Sequence, residues 1–87
     1  MRLDKSKAKA NACAILGKNS YACLIMGYLI CMLPTDSGDW AGEARECLPM
    51  LKIDVRRMAR EMRCKEKEAM DLFEGKALEI ILKSERK

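Results

Sequence analysis

The chain has 87 residues, of which 49% are hydrophobic and 34% are charged. This length predicts one domain, residues 1–87, and the balance of apolar and charged residues excludes a disordered chain. The formal net charge of +4 allows nucleic-acid binding but does not require it. Aromatic residues make up only 5% of the chain, while good helix formers dominate, so we expect an all-α fold with an aliphatic core.

The five cysteines, at positions 13, 23, 31, 47 and 64, favour a reducing environment. Their number is odd, none are spaced as CxxC, and the sequence contains no histidine. A disulfide framework favours an even number of cysteines, and a zinc site favours closely spaced cysteines or cysteines with histidine. We therefore expect buried free thiols, no metal, no cofactor and a cytoplasmic location.

Two helices are predicted in the first part of the chain. Asp4 is a suitable N-cap for a helix over about residues 5–16, and Gly17 stands where helices commonly end. A second helix covers residues 21–33. These 13 residues carry no charge, but a membrane span needs about 20 apolar residues, so we predict a buried helix and no membrane insertion.

The rest of the chain is also predicted to be helical. Residues 40–47 are expected to form one or two turns after Asp39, and a further helix covers about 66–74. The segment 78–82 is predicted as helix because a single strand would have no partner. An apolar stripe with the helical period occupies Leu51, Val55, Met58 and Met62. Together these elements predict a small bundle of about four helices.

The uncharged helix over residues 21–33 is the first candidate binding surface. A domain of this size has few other helices with which to cover all its sides. Part of this helix is therefore expected to form a homo-oligomer or partner interface, and the alternative is the centre of a monomeric core. The candidate interface residues are Tyr21, Cys23, Gly27, Tyr28 and Cys31.

A basic stripe is the second candidate surface. At spacings of 4, 4, 3 and 4 residues, five cations share one face of a continuous helix. They are Lys52, Arg56, Arg60, Arg63 and Lys67. Because acidic residues lie nearby in the sequence, the stripe leaves open whether it meets DNA, an acidic protein or only solvent.

Over residues 55–74 the apolar positions are spaced as in a helical hairpin, with Ala59 at the predicted crossing and Ala69 and Leu72 facing back. This spacing resembles the helix-turn-helix pattern of transcriptional regulators. In this comparison 55–62 is the first helix, 63–65 the turn and 66–74 the second helix. The resemblance implies DNA binding through the second helix. Two features differ from the pattern, since Arg63 occupies the turn position that usually carries glycine and acidic residues open the second helix.

Catalysis is not indicated by the sequence. There is no histidine to act as a general base and no glycine-rich phosphate loop. We therefore expect a non-enzymatic regulatory protein that binds a protein partner, of the inhibitor, antirepressor or adaptor type, and assembles as a homo-oligomer. A helix-turn-helix DNA-binding regulator is the alternative hypothesis.

Overall fold

A computed structural model describes residues 2–86 and, for Arg86, the backbone alone. Met1 and Lys87, the two ends of the predicted domain, lie outside the described residues. The described residues form five α-helices, which confirms the all-α class. The helices are α1 (Lys5–Leu16), α2 (Tyr21–Met32), α3 (Trp40–Cys47), α4 (Val55–Met62) and α5 (Glu66–Lys83), with a short 3₁₀ helix at Leu48–Met50.

Helix α1 has the predicted bounds because both of its ends are fixed by local hydrogen bonding. The Asp4 carboxylate accepts a hydrogen bond from Lys7 N at 3.1 Å, which satisfies a free N–H group of the first turn. Gly17 closes the helix at a φ of 92°, a value that favours glycine. Ala8 and Ala12 are fully buried, so their small side chains let α1 pack closely on its neighbours.

Helix α2 ends one residue earlier than predicted. The Ser20 hydroxyl accepts a hydrogen bond from Cys23 N at 2.9 Å and caps the first turn. Leu33 is already extended, with a ψ of 144°, because the following Pro34 disfavours a helical conformation at the residue before it. The inner side of the helix is buried against α1, α3 and α4.

Helix α3 is a full helix of eight residues, so the described chain has five α-helices rather than about four. The Asp39 carboxylate accepts a hydrogen bond from Gly42 N at 3.0 Å and starts the helix. Trp40 and Ala44 are buried on the side of α3 that packs against α5. This buried side stabilises a segment that is too short to be helical alone.

Helix α4 has the bounds 55–62 given by the helix-turn-helix comparison, and it begins four residues after Leu51, where the apolar stripe starts. The Asp54 carboxylate accepts a hydrogen bond from Arg57 N at 3.1 Å and marks the start of the helix. Leu51 and Lys52 therefore precede α4 and are not part of its faces.

Helix α5 is continuous through Gly75, so the predicted helix 66–74 and the segment 78–82 belong to the same element. The preference for helix over strand at 78–82 is confirmed. Leu72 and Leu82 are 45% and 58% exposed, because they fall outside the buried arc of this one helix. The buried arc contains Ala69, Phe73, Ala77, Ile80 and Ile81.

Two short strands join the ends of the described chain. Arg2–Leu3 (β1) pairs antiparallel with Glu85–Arg86 (β2). The Leu3 N–H group also donates a hydrogen bond to the Thr35 carbonyl at 2.8 Å. The sequence did not predict this pairing, because two residues are too few to show the alternation typical of a strand.

All five helices contribute buried side chains to one core. Helix α5 packs against α1, α3 and α4, and the buried apolar side chains form a single cluster. Within residues 2–86, no helix is both long and apolar enough to cross a membrane. One side of α2 is left uncovered in this arrangement. Helix α4 and the start of α5 form a helical hairpin.

Candidate functional site

One side of α2 is left uncovered by the rest of the fold, and we call it the outer face. Leu24 is 51% exposed, Tyr28 54% and Met32 38%. Their helical spacing places these side chains along one stripe together with Gly27 and Cys31. A continuous uncharged surface of this kind is typical of sites that proteins bury on association.

A groove of about 360 Å³ runs between α1 and the outer face of α2. Most of its wall consists of apolar side chains and thiols, and Lys9 is the charged residue among those that line it. Helix α1 contributes Lys9, Ala12 and Cys13, and helix α2 contributes Cys23, Leu24, Gly27, Tyr28 and Cys31. The groove therefore extends the apolar outer face sideways toward α1.

Four of the five predicted interface residues come together along this groove: Cys23, Gly27, Tyr28 and Cys31. The fifth, Tyr21, is only 9% exposed and lies on the inner side of α2. Leu24 belongs to the outer face but the sequence did not single it out. The angular position of Leu24 around the helix axis would have placed it on the exposed side once the buried side of α2 was known.

Tyr21 joins α2 to α4 instead of facing solvent. Its hydroxyl accepts a hydrogen bond from Asp54 N at 2.8 Å, and the Arg57 guanidinium lies 4.5 Å from the ring centroid. The Glu61 carboxylate accepts hydrogen bonds from Tyr21 N at 2.6 Å and Ala22 N at 2.8 Å. It satisfies N–H groups at the start of α2, where negative charge is favoured.

Gly27 is not required by the packing of the single chain. A Cβ atom built at this position meets no atom within 4 Å. Glycine inside a helix costs about 0.5–1 kcal/mol relative to alanine. Its missing side chain leaves room for a second backbone to approach the outer face closely.

The structure divides the predicted basic stripe among three segments. Arg56 and Arg60 lie on α4 and Arg63 in the turn after it, whereas Lys52 precedes α4 and Lys67 lies on α5. All five side chains are exposed. The premise that one helix carries them is wrong, because α4 has only eight residues. Of these five, the three arginines line the cleft between α4 and the start of α5, which we call the hairpin cleft.

The turn between α4 and α5 has the left-handed conformation that normally favours glycine. Arg63 has φ 56° and ψ 48°, and it is the one non-glycine residue with a positive φ in the described range 2–86. Cys64 N donates to the Ala59 carbonyl at 3.0 Å and Arg63 N to the Arg60 carbonyl at 3.3 Å. These two bonds form a Schellman motif. Arg63 therefore adopts the left-handed turn conformation at a position where glycine is usual.

Acidic side chains lower the positive charge of the hairpin cleft. Arg56 Nε lies 3.3 Å from a Glu66 carboxylate oxygen, and Glu68 lines the same cleft. Arg56 and Glu66 are both largely exposed, so their ion pair contributes little to stability. A phosphate backbone docking at the start of α5 would meet both of these carboxylates.

The cysteines are free, but most of them are not buried as expected. Cys47 is buried, Cys23 and Cys64 are partly exposed, and Cys13 and Cys31 are exposed. The helical period alone does not place α1 and α2 face to face, so exposed thiols in one groove could not be expected from the sequence.

Two of these thiols touch. Cys13 Sγ and Cys23 Sγ lie 3.7 Å apart. Burial raises the pKa of Cys23, and the hydrogen bond and charge of Cys13 and the charge of Glu61 raise it further. Burial likewise raises the pKa of Cys47, together with the charges of nearby glutamates.

Among residues 2–86, no three cysteine or carboxylate side chains are grouped closely enough to hold a metal ion. Comparisons with protein families, with curated proteins and with solved structures found no match to this chain.

Proposed function

We propose that this chain is a small non-enzymatic regulatory protein that binds a protein partner, of the inhibitor, antirepressor or adaptor type, as a homo-oligomer. The observation that carries the proposal is the outer face of α2, where large apolar side chains stand exposed on an uncharged helix. The free cysteines favour a reducing compartment, the cytoplasm, as its place of action.

A second copy of this chain is the occupant that fits the outer face. The face carries no charge, so a twofold axis brings identical residues together without repulsion between like charges. Leu24, Tyr28 and Met32 are exposed apolar side chains, and their burial between two copies of the chain would favour association. Gly27 lets the two helices approach closely, which increases the area that the neighbouring side chains bury.

The hairpin cleft is the surface we assign to the protein partner. Arg56, Arg60 and Arg63 project from one side of it, and arginine is enriched in protein interfaces. Their net positive field favours an acidic partner surface and speeds association with it. The two surfaces thus have separate roles, self-association on α2 and partner binding on the hairpin.

Sedimentation equilibrium over a range of protein concentrations tests the self-association. We expect the mass to rise above that of a monomer, and Gly27→Leu to shift the equilibrium back toward monomer. Gly75→Leu is the matched control, because Gly75 is also a helical glycine with open space around a built Cβ but lies on α5. A folded monomer at every accessible concentration would contradict the self-association.

DNA binding by the α4–α5 hairpin is a second candidate function. The observation that favours it is the left-handed turn at Arg63, which supplies the geometry that the helix-turn-helix resemblance implies. Glu66 and Glu68 at the start of α5 oppose it, because they lie where a recognition helix would approach phosphates.

Fluorescence anisotropy with DNA duplexes at several salt concentrations separates the two candidates. If the hairpin binds DNA, Arg56→Ala, Arg60→Ala and Arg63→Gly should each weaken binding to every sequence and lower the salt slope by about one. Glycine at position 63 removes the charge while keeping the left-handed turn. We expect no sequence-specific duplex complex at physiological salt, and such a complex would favour the DNA-binding function.

A further inference from the structure

Cys13 on α1 and Cys23 on α2 lie side by side in the wall of the α1–α2 groove. Their Sγ atoms are 3.7 Å apart, which places the two thiols in direct contact. Cys13 is exposed and Cys23 is partly exposed, so small reagents reach the pair from solvent. We propose that this pair is a modification site, at which a low-molecular-weight disulfide forms a reversible intramolecular bridge between Cys13 and Cys23.

The geometry requires only a small movement of the two side chains. A disulfide holds its sulfur atoms about 2.0 Å apart, so the Sγ atoms must approach by about 1.7 Å. Rotation about the Cα–Cβ bond of each cysteine moves its sulfur over distances of this size. Ala12, next to Cys13 in the sequence, is fully buried and lines the same groove, so the two helices are already close at this point.

The reaction is a thiol–disulfide exchange in two steps. The Cys13 thiolate attacks one sulfur of the small disulfide, whose S–S bond breaks, and the released thiolate takes up the proton that Cys13 lost. Cys23 then loses its proton and attacks Cys13 Sγ in the mixed disulfide, which releases the second small thiol. The two cysteines are oxidised by two electrons, and the small disulfide is reduced to two thiols.

The surroundings of the two thiols set the order of these steps. Cys13 attacks first because it is the more exposed thiol. Burial raises the pKa of Cys23, which lowers the fraction of Cys23 present as the nucleophilic thiolate. Cys23 is suited to the second step, because it already lies beside Cys13 Sγ and the attack is intramolecular.

Cys31 provides a control within the same groove. It lies on the same side of α2 as Cys23 but two turns further along, about 12 Å away. The proposed bridge forms within one chain, so it does not depend on the self-association proposed above.

The test begins with reduced, folded protein incubated with oxidised glutathione, followed by alkylation of the remaining thiols and tryptic mass mapping. Trypsin places Cys13 in residues 10–18, and Cys23 with Cys31 in residues 19–45. We expect the number of free thiols to fall by two, with these two peptides cross-linked. Dithiothreitol should restore both thiols.

Two variants identify the cysteine on α2. The cross-link should persist in Cys31→Ser and disappear in Cys13→Ser, and both residues are exposed, so both variants are expected to keep the fold. Circular dichroism checks the fold of each variant. A cross-link that requires Cys31, a bridge between two chains, or mixed disulfides with glutathione alone would overturn the proposal.

Discussion

Helix α2 and the α4–α5 hairpin expose opposite kinds of surface. The outer face of α2 carries exposed Leu24 and Tyr28 on a helix without charge. The hairpin exposes arginines, with glutamates placed among them. Both regions bury an apolar inner side in the same core, so they differ in what they present to other molecules rather than in how they fold.

The difference predicts two separable binding behaviours. Burial of apolar area supplies binding free energy that changes little with salt, whereas exposed charges act on association rate and are screened by salt. A substitution on the outer face should therefore change the oligomeric state. A substitution in the hairpin cleft should change the salt dependence of partner binding.

The two regions are nevertheless coupled in stability. Glu61 on α4 accepts the hydrogen bonds of two N–H groups at the start of α2, and Tyr21 accepts one from Asp54. A substitution at Glu61 or Tyr21 should therefore lower the stability of both regions. Substitutions that test one surface alone must avoid these two residues.

The largest expected effect is on the inner side of the hairpin. Met58 is fully buried, so Met58→Ala should lower the free energy of unfolding by about 2–5 kcal/mol through lost burial and a remaining cavity. Met50→Ala is the matched control, because Met50 is 71% exposed. Urea denaturation measures both variants. Equal midpoints for the two would mean that Met58 is not part of the core.

The helix ends marked by local capping residues were the part of the fold that the sequence predicted best. Asp4, Asp39 and Gly17 act through local hydrogen bonds and backbone conformation, which are visible in a short stretch of sequence. The continuity of α5 through Gly75 was not visible in this way. A helical glycine costs about 1 kcal/mol, and burial of the side chains on both sides of it outweighs that cost.

The sequence predicted most of the interface residues on α2 and misplaced Tyr21. The difference lies in the contacts that position each residue. The helical period placed Cys23, Gly27 and Cys31 on one side of α2. It did not show that Tyr21 turns inward, because its partners Asp54 and Glu61 lie more than 30 residues further along the chain. Contacts between distant segments depend on the assembled fold and leave no local pattern.

The junction between the two regions gives the second prediction. Glu61→Gln keeps the length of the side chain but removes the negative charge at the start of α2, so the free energy of unfolding should fall by about 1 kcal/mol. Urea denaturation of this variant is compared with Glu68→Gln, a change at an exposed residue of the hairpin cleft. The loss should be confined to Glu61→Gln. Similar losses in both variants would show a general effect of charge rather than capping of α2.

The smallest expected effect on stability compares two glycines, and it tests the outer face most directly. Gly27 and Gly75 both lie inside helices with open space around a built Cβ. Replacing either with alanine should therefore stabilise the monomer by about 0.5–1 kcal/mol, measured by urea denaturation at low protein concentration.

Self-association should separate these two stabilised variants. In the proposed dimer the methyl group added at Gly27 would lie between the two helices, so Gly27→Ala should weaken association even though it stabilises the monomer. Gly75→Ala lies on α5 and should leave association unchanged. Sedimentation equilibrium on the two variants and the unmodified chain measures this directly. A higher free energy of unfolding together with weaker association, seen for Gly27→Ala and not for Gly75→Ala, would show that Gly27 acts between chains. If Gly27 were needed only for the fold, its substitution would lower the free energy of unfolding.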